Sequence, residues 1–296
     1  MGETLFIAHR IPFPPDRGDK IRSHHLLKAL AELGPVHVAT LGETEADFAA
    51  EPLLAEVAAS YCLVRRPRLG PAALRSLATG RAVSQQAFDS PALRKWIARL
   101  LAERQIDTVF VFSGQMGQYI PGSFAGRVIV DLCDVDSAKF EAYAREHEPL
   151  RAWIDRREAR LLGAEEARLV AAADATLLVS EAEAALLRAR AGSGGRILAV
   201  GNGIDTAFFD PQAAAPHPTL AGARGPHVVF TGQMDYPPNV AAVLRAAKRL
   251  MPRIRAVIPE ATLHIIGRCP TDEVKALDGH DGCRVWGRVD DMAAYL

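Results

Sequence analysis

The stretch that decides the fold is residues 5–41, LFIAHRIPFPPDRGDKIRSHHLLKALAELGPVHVATL. Leu5-Phe6-Ile7-Ala8 is an apolar run of strand length. From Ile21 to Leu33 apolar residues return at three- and four-residue spacing, the period of a helix, and Val36 to Leu41 is a second strand-like run. Strands without polar alternation are covered on both faces, and separating them by helices points to a parallel sheet.

The same rhythm carries on down the chain. Helical patterns fall at 48–59, 91–104 and 181–191, and one long charged helix is expected from Ser137 to about Ala172. Strands fall at 61–64, 108–112, 127–132, 175–179 and 196–200, and Gly192-Ser193-Gly194-Gly195 reads as a turn. The expected fold class is therefore α/β, a doubly wound parallel sheet. Between Gly201 and Pro226 prolines and glycines replace the periodicity, as in a linker. Afterwards the pattern restarts with strands at 227–230, 262–266 and 284–286, helices at 239–250 and 273–277, and a helix opening near Asp290. The expected organisation is a first domain over 1–203, a linker over 204–225 and a second, partial α/β domain over 226–296. The second has only three strands and stops inside an expected helix with no glycine or asparagine cap, so it reads as cut short.

Composition narrows the function. The 296 residues carry 35 basic and 35 acidic side chains, without the basic excess that releases counterions from nucleic acid, so no nucleic-acid partner is expected. Four dispersed cysteines contain no C-x-x-C pair, against both a zinc site and a disulfide framework. There is no signal-like start and no apolar run of membrane-spanning length, which predicts a cytoplasmic protein.

No phosphate loop, H-E-x-x-H, G-x-S-x-G or G-x-G-x-x-G is present. The chemistry has to come from the loops that follow strands. After the first strand, Pro12 to Arg22 combines stiffening prolines with Gly18, where the backbone can approach a ligand. Asp19 can cap the next helix, and Arg17, Lys20 and Arg22 add positive charge suited to an anion. A proline-rich turn with a cap explains the same residues. Asp131, Asp134 and Asp136 close the fifth strand; ionised carboxylates accept strong hydrogen bonds from hydroxyl-rich ligands, although capping accounts for one of them. Asn202-Gly203 is either a turn or a hinge. In the second domain the loop 230–239 repeats the strand-to-helix arrangement, and Arg268 and Arg288 follow successive strands, a pair suited to a diphosphate. His9 ends the first strand and either faces the ligand or packs. The charges from Arg145 to Arg168 read as a solvated helix face.

Taken in order, PFPPDRGDKIRSHHLLKAL (12–30), DLCDVDSAKF (131–140), VSEAEAALL (179–187), NGID (202–205) with FF (208–209), FTGQMDYPPNV (230–240), IIGRCP (265–270) and VWGRVDDMAAYL (285–296) resemble the family-4 type of GT-B glycosyltransferases. More narrowly they look like the sugar transferases associated with the exosortase/PEP-CTERM system. The resemblance implies two Rossmann-like domains, an N-terminal acceptor-side domain and a C-terminal domain holding a nucleotide-sugar. It places Gly18 and Arg22 near the donor diphosphate or the acceptor, Asp134 and Asp136 at sugar hydroxyls, and Gly232, Asn239 and Arg268 on the donor side. It further implies retention of anomeric configuration, no metal, and no cofactor, the nucleotide-sugar being a substrate. The acceptor is then a glycan or a lipid-linked glycan in exopolysaccharide synthesis, with peripheral contact at the inner face of the membrane. The segment with paired glutamates that grips the donor in this family has no counterpart before Leu296. Two other readings stand beside the transferase: a truncated, non-catalytic sugar-binding module, and a nucleotide-sugar epimerase on the same fold.

Overall fold

The computed structural model describes residues 2–192 and 194–296; Ser193 of the expected turn lies outside the described residues. The chain divides into two units, Met1–Gly203 and Ile204–Leu296.

The first unit is built on a seven-stranded sheet: β1 (Glu3–Ala8), β2 (Val36–Gly42), β3 (Ser60–Arg65), β4 (Ile106–Phe112), β5 (Arg127–Cys133), β6 (Ala175–Leu178) and β7 (Ile197–Ala199). Their spatial order is β3-β2-β1-β4-β5-β6-β7, and every pairing is parallel. β1 is central because its residues serve both faces. Leu5 and Ile7 enter one core with Val109, Val111 and Leu93, while Phe6 and Ala8 enter the other with Phe110 and Leu27. The chain runs outward from β1 to β3, then returns to the other side of β1 at β4. Ligands bind at such a reversal, beyond the carboxyl ends of the two strands.

Four differences from the sequence pattern have physical causes. The single helix expected over 137–172 is two, Asp136–Glu146 and Pro149–Ala172, because a proline cannot continue a helix but opens one readily. The helix expected at 48–59 is also two, Glu45–Ala49 and Glu51–Val57, the first opened by a capping box between Thr44 and Asp47. A helix at Leu69–Thr79 was not expected; among its described residues the buried ones are Ala72 and Ser76, too few apolar positions to give a helical period. Near Asp290 there is no α-helix but a single 3-10 turn, Ala293–Tyr295.

The second unit holds a three-stranded parallel sheet, β8 (His227–Thr231), β9 (Thr262–Ile266) and β10 (Cys283–Gly287), ordered β10-β9-β8. One face packs Leu263, Ile265 and Cys283 against Met234, Val243 and Met251. The other carries a polar aromatic chain. Trp286 Nε1 donates to His264 Nδ1 at 3.0 Å, and His264 Nε2 lies 3.0 Å from His227 Nδ1. The segment 204–225 contains the short helix Pro218–Ala221, and its His217 stacks on Tyr295 with ring centroids 4.7 Å apart. The His217 N–H also donates to Ala294 O at 2.8 Å. The helix expected at 239–250 spans Pro237–Arg245 and passes through a π-turn at Ala246–Leu250 into Met251–Arg255.

Among the described residues no helix is long and apolar enough to cross a membrane.

Candidate functional site

In the first unit the loop after β1 runs into the helix Gly18–Leu33. Gly18 is the exposed first residue of that helix, and a Cβ there would meet nothing within 4 Å, so the helix N-terminus is open to approach. Its basic neighbours are not all available to a ligand. Lys20 is buried and donates to Asp47 Oδ1 at 2.5 Å and to Phe13 O at 3.1 Å. Arg22 is buried as well. Its Nε donates to Asp131 Oδ2 at 2.9 Å, and its Nη1 donates to Val200 O at 2.7 Å and Asn202 Oδ1 at 2.9 Å. Arg22 thus binds the helix to the ends of β5 and β7, and Asp131, with no exposure, belongs to that clamp. Burial pushes the Asp131 carboxyl up, and the Arg22 charge works against it. Asp131 also orders the strand ends: its Oδ1 accepts from the Cys133 N–H at 3.0 Å and its carbonyl from the Ser113 N–H at 2.8 Å. Ser113 and Cys133 sit at φ 79° and 64°, a conformation that is strained for residues other than glycine and clusters at working sites.

His9, at the end of β1, both packs and pairs. Its ring stacks on Phe112 with centroids 5.7 Å apart, and its Nε2 stands 3.2 Å from Asp19 Oδ2. Arg10 Nη1 donates to the same oxygen at 2.6 Å, and Arg17 Nε lies 3.1 Å from Asp19 Oδ1. Burial lowers the His9 pKa, outweighing the Asp19 hydrogen bond. Burial works to raise the Asp19 carboxyl, but His9, Arg10 and Arg17 hold it far below the usual range. Asp19 is therefore an ion-pair centre, and its side chain makes no cap to the helix.

Asp134 and Asp136 lie where β5 gives way to the next helix. Asp136 Oδ2 accepts from Gln115 Nε2 at 2.8 Å, and Lys139 pairs with its other oxygen. Partial burial and the Glu183 charge push the Asp134 carboxyl up, with Lys139 opposing. Glu183 itself accepts from the Val135 N–H at 2.8 Å. Gln115, Lys139 and Glu183 were not singled out in the sequence. Gln115 follows β4, and its place after a strand was the one available signal.

In the second unit Gly232, Asn239 and Arg268 come together around Gln233. Asn239 Nδ2 donates to Gln233 O at 3.0 Å, and Arg268 Nη2 lies 3.5 Å from Gln233 Oε1. The Met234 N–H donates to Arg268 O at 2.9 Å, joining the loops after β8 and β9. This contact depends on missing side chains. A Cβ on Gly267 would lie 1.6 Å from Gly232 O, and one on Gly232 would lie 2.8 Å from Asn239 Nδ2. Gly287 O accepts from the Gly267 N–H at 2.8 Å, so all three strand ends are linked, and Arg288 beyond them is exposed. Among the described residues, no group of three or more His, Cys, Asp or Glu side chains is placed to hold a metal ion.

Residues 18–203 match the model of the glycosyl transferase 4-like domain. No curated protein matches the chain. Solved structures are similar in fold. Sucrose-phosphate synthase from Thermosynechococcus elongatus superposes with a TM-score of 0.60 at 15% identity, over 98% of this chain and 71% of that one. Anabaena Alr3699/HepE in complex with UDP and glucose gives 0.59 at 14% identity, over 99% and 71%. A Staphylococcus aureus MnaA–UDP structure gives 0.51 at 12% identity, over 99% and 70%.

Proposed function

The chain belongs to the glycosyl transferase 4-like family, and from that premise we propose that it moves a sugar from a nucleotide-sugar donor to a glycan or lipid-linked acceptor. The observation that carries this reading is the convergence of Gly232, Asn239 and Arg268 on Gln233 at the strand ends of the second unit. The glycines hold the loops after β8 and β9 together beside Arg268, whose guanidinium matches the oxygens of a pyrophosphate. Fold relatives in complex with UDP, and with UDP and glucose, support a uridine nucleotide as the first donor to try.

In the first unit Asp134 and Asp136 accept hydrogen bonds from sugar hydroxyls, and the open helix start at Gly18 receives the acceptor or the leaving diphosphate. Arg22 acts at one remove, by fixing that helix. The departing diphosphate is stabilised by Arg268 and by backbone dipoles, without a metal and with retention of the anomeric configuration. Glycan assembly for the cell surface, of the kind linked to exosortase/PEP-CTERM systems, is the proposed setting, at the inner face of the membrane.

The test is release of nucleoside diphosphate from a panel of UDP- and GDP-sugars, with and without a lipid-linked glycan acceptor. Acceptor-dependent release carries the proposal. A sugar altered while still attached to its nucleotide, with no acceptor present, points to an epimerase. Acceptor binding with no donor affinity points to a binding module.

A further inference from the structure

We propose that the groove at the elbow between the helices Asp136–Glu146 and Pro149–Ala172 binds an acidic saccharide, a sugar chain bearing ring carboxylates of the uronate type. The groove measures about 600 Å³, within the range of small-ligand sites. Ala144 from one helix and Ala152 from the other line it, both buried and too small to fill it. Arg145 and Arg156 line it as well, and both are exposed. His147, a further lining residue, is fixed by the buried Asp155: its Nδ1 lies 2.6 Å from Asp155 Oδ2. An ionised carboxylate only accepts, so Nδ1 carries the hydrogen of that contact and Nε2 is left to accept one from a hydroxyl.

Charge selects the ligand. Glu141, the acidic residue of the lining, is already taken by Arg190, whose Nη1 and Nη2 donate to its two oxygens at 3.1 and 2.5 Å. Glu146 and Glu148 are exposed at the elbow and do not line the groove. Among the described residues neither Arg145 nor Arg156 is held by a hydrogen bond or an ion pair. Two guanidinium forks are therefore open to a ligand, and each matches a planar carboxylate with two parallel N–H donors. Trp153 makes that ligand a saccharide. It stands four residues after Pro149 and three before Arg156, on the same side of the helix, and is 57% exposed. An exposed indole is a flat apolar plate on which the C–H face of a sugar ring packs while its hydroxyls stay in water. A bare phosphate makes no use of it. Asp136 opens the helix that ends beside His147, about 16 Å away, so the groove is separate from Asp134 and Asp136. The contact needs neither donor nor reaction, and it does not depend on the transferase reading.

The experiment is calorimetric titration of the chain with oligosaccharides of glucuronic and of galacturonic acid, with the same oligosaccharides after carboxyl reduction, and with inorganic phosphate. The expected result is that at least one acidic chain binds about tenfold or more tighter than its reduced form and than phosphate, by a margin that salt narrows. Arg145→Gln with Arg156→Gln brings the acidic chain down to the affinity of the reduced one. Both side chains are exposed, so the unfolding midpoint stays unchanged. Trp153→Ala weakens the acidic chain by about three- to tenfold and leaves phosphate unaffected. No binding of either acidic chain, equal binding of acidic and reduced chains, phosphate bound as tightly as the saccharide, or an affinity that survives the arginine pair would each overturn the proposal.

Discussion

Arg22 Nε donates to Asp131 Oδ2 at 2.9 Å in a site where Arg22 is 5% exposed and Asp131 is fully enclosed. Removing one member of a buried pair leaves an uncompensated charge. Arg22→Met is expected to lower unfolding free energy by about 3–5 kcal/mol in a denaturant titration, and Arg22→Met with Asp131→Leu to regain most of that loss. If Arg22→Met kept full stability but lost nucleotide-sugar binding, the arginine would be a ligand group instead of a clamp.

Arg268 is expected to behave oppositely. Arg268→Ala should weaken UDP-sugar binding by calorimetry about 10- to 100-fold, the range for a hydrogen bond to a charged group, with little change in stability. Arg268→Lys keeps the charge but not the fork, so it restores only part of the affinity.

Gly267→Ala places a methyl carbon 1.6 Å from the Gly232 carbonyl oxygen, so the loops after β8 and β9 must separate. The expected loss is about 1–3 kcal/mol of stability together with donor affinity, read by thermal unfolding and by calorimetry on one sample. An unchanged donor affinity would remove this loop from the binding site.

His264 gives a pH dependence with a definite sign. Burial, with the charges of His227 and Arg284, lowers its pKa from 6.5 to about 4. Between those values the unfolded chain binds the proton and the folded one does not. The contribution is therefore complete above pH 6.5 and is lost as pH falls toward 4. The melting temperature should drop between about pH 7.5 and about pH 5, and His264→Gln should flatten that slope. Trp286, bonded to His264 Nδ1, reports the same transition by fluorescence.

The strands were legible because each is a short apolar run between polar or glycine-rich breaks, and the loops that carry Gly232 and Arg268 because they follow such runs. The fate of the charges in the loop after β1 was not. Lys20 and Arg22 carry the same charge in sequence as Arg17, but their partners lie 27 and 109 residues away. Only the fold reveals that those two charges are already neutralised. The helix Leu69–Thr79 escaped notice for a related reason: Leu74 and Leu77 face outward, so they do not mark a buried stripe. Pro149, by contrast, was a readable break inside the helix expected over 137–172.

The Arg22 clamp also sets an order of events during synthesis. Asn202, one of its partners, is 180 residues further along the chain. At ribosomal rates of about 5–20 residues per second, Arg22 is added to the chain roughly 9–36 s before that partner. Until Asp131 is made, 109 residues after Arg22, the helix Gly18–Leu33 carries an unneutralised cation on the side it will later bury. The N-terminal unit can complete its sheet and the Arg22 clamp only once its last strand, β7, has emerged.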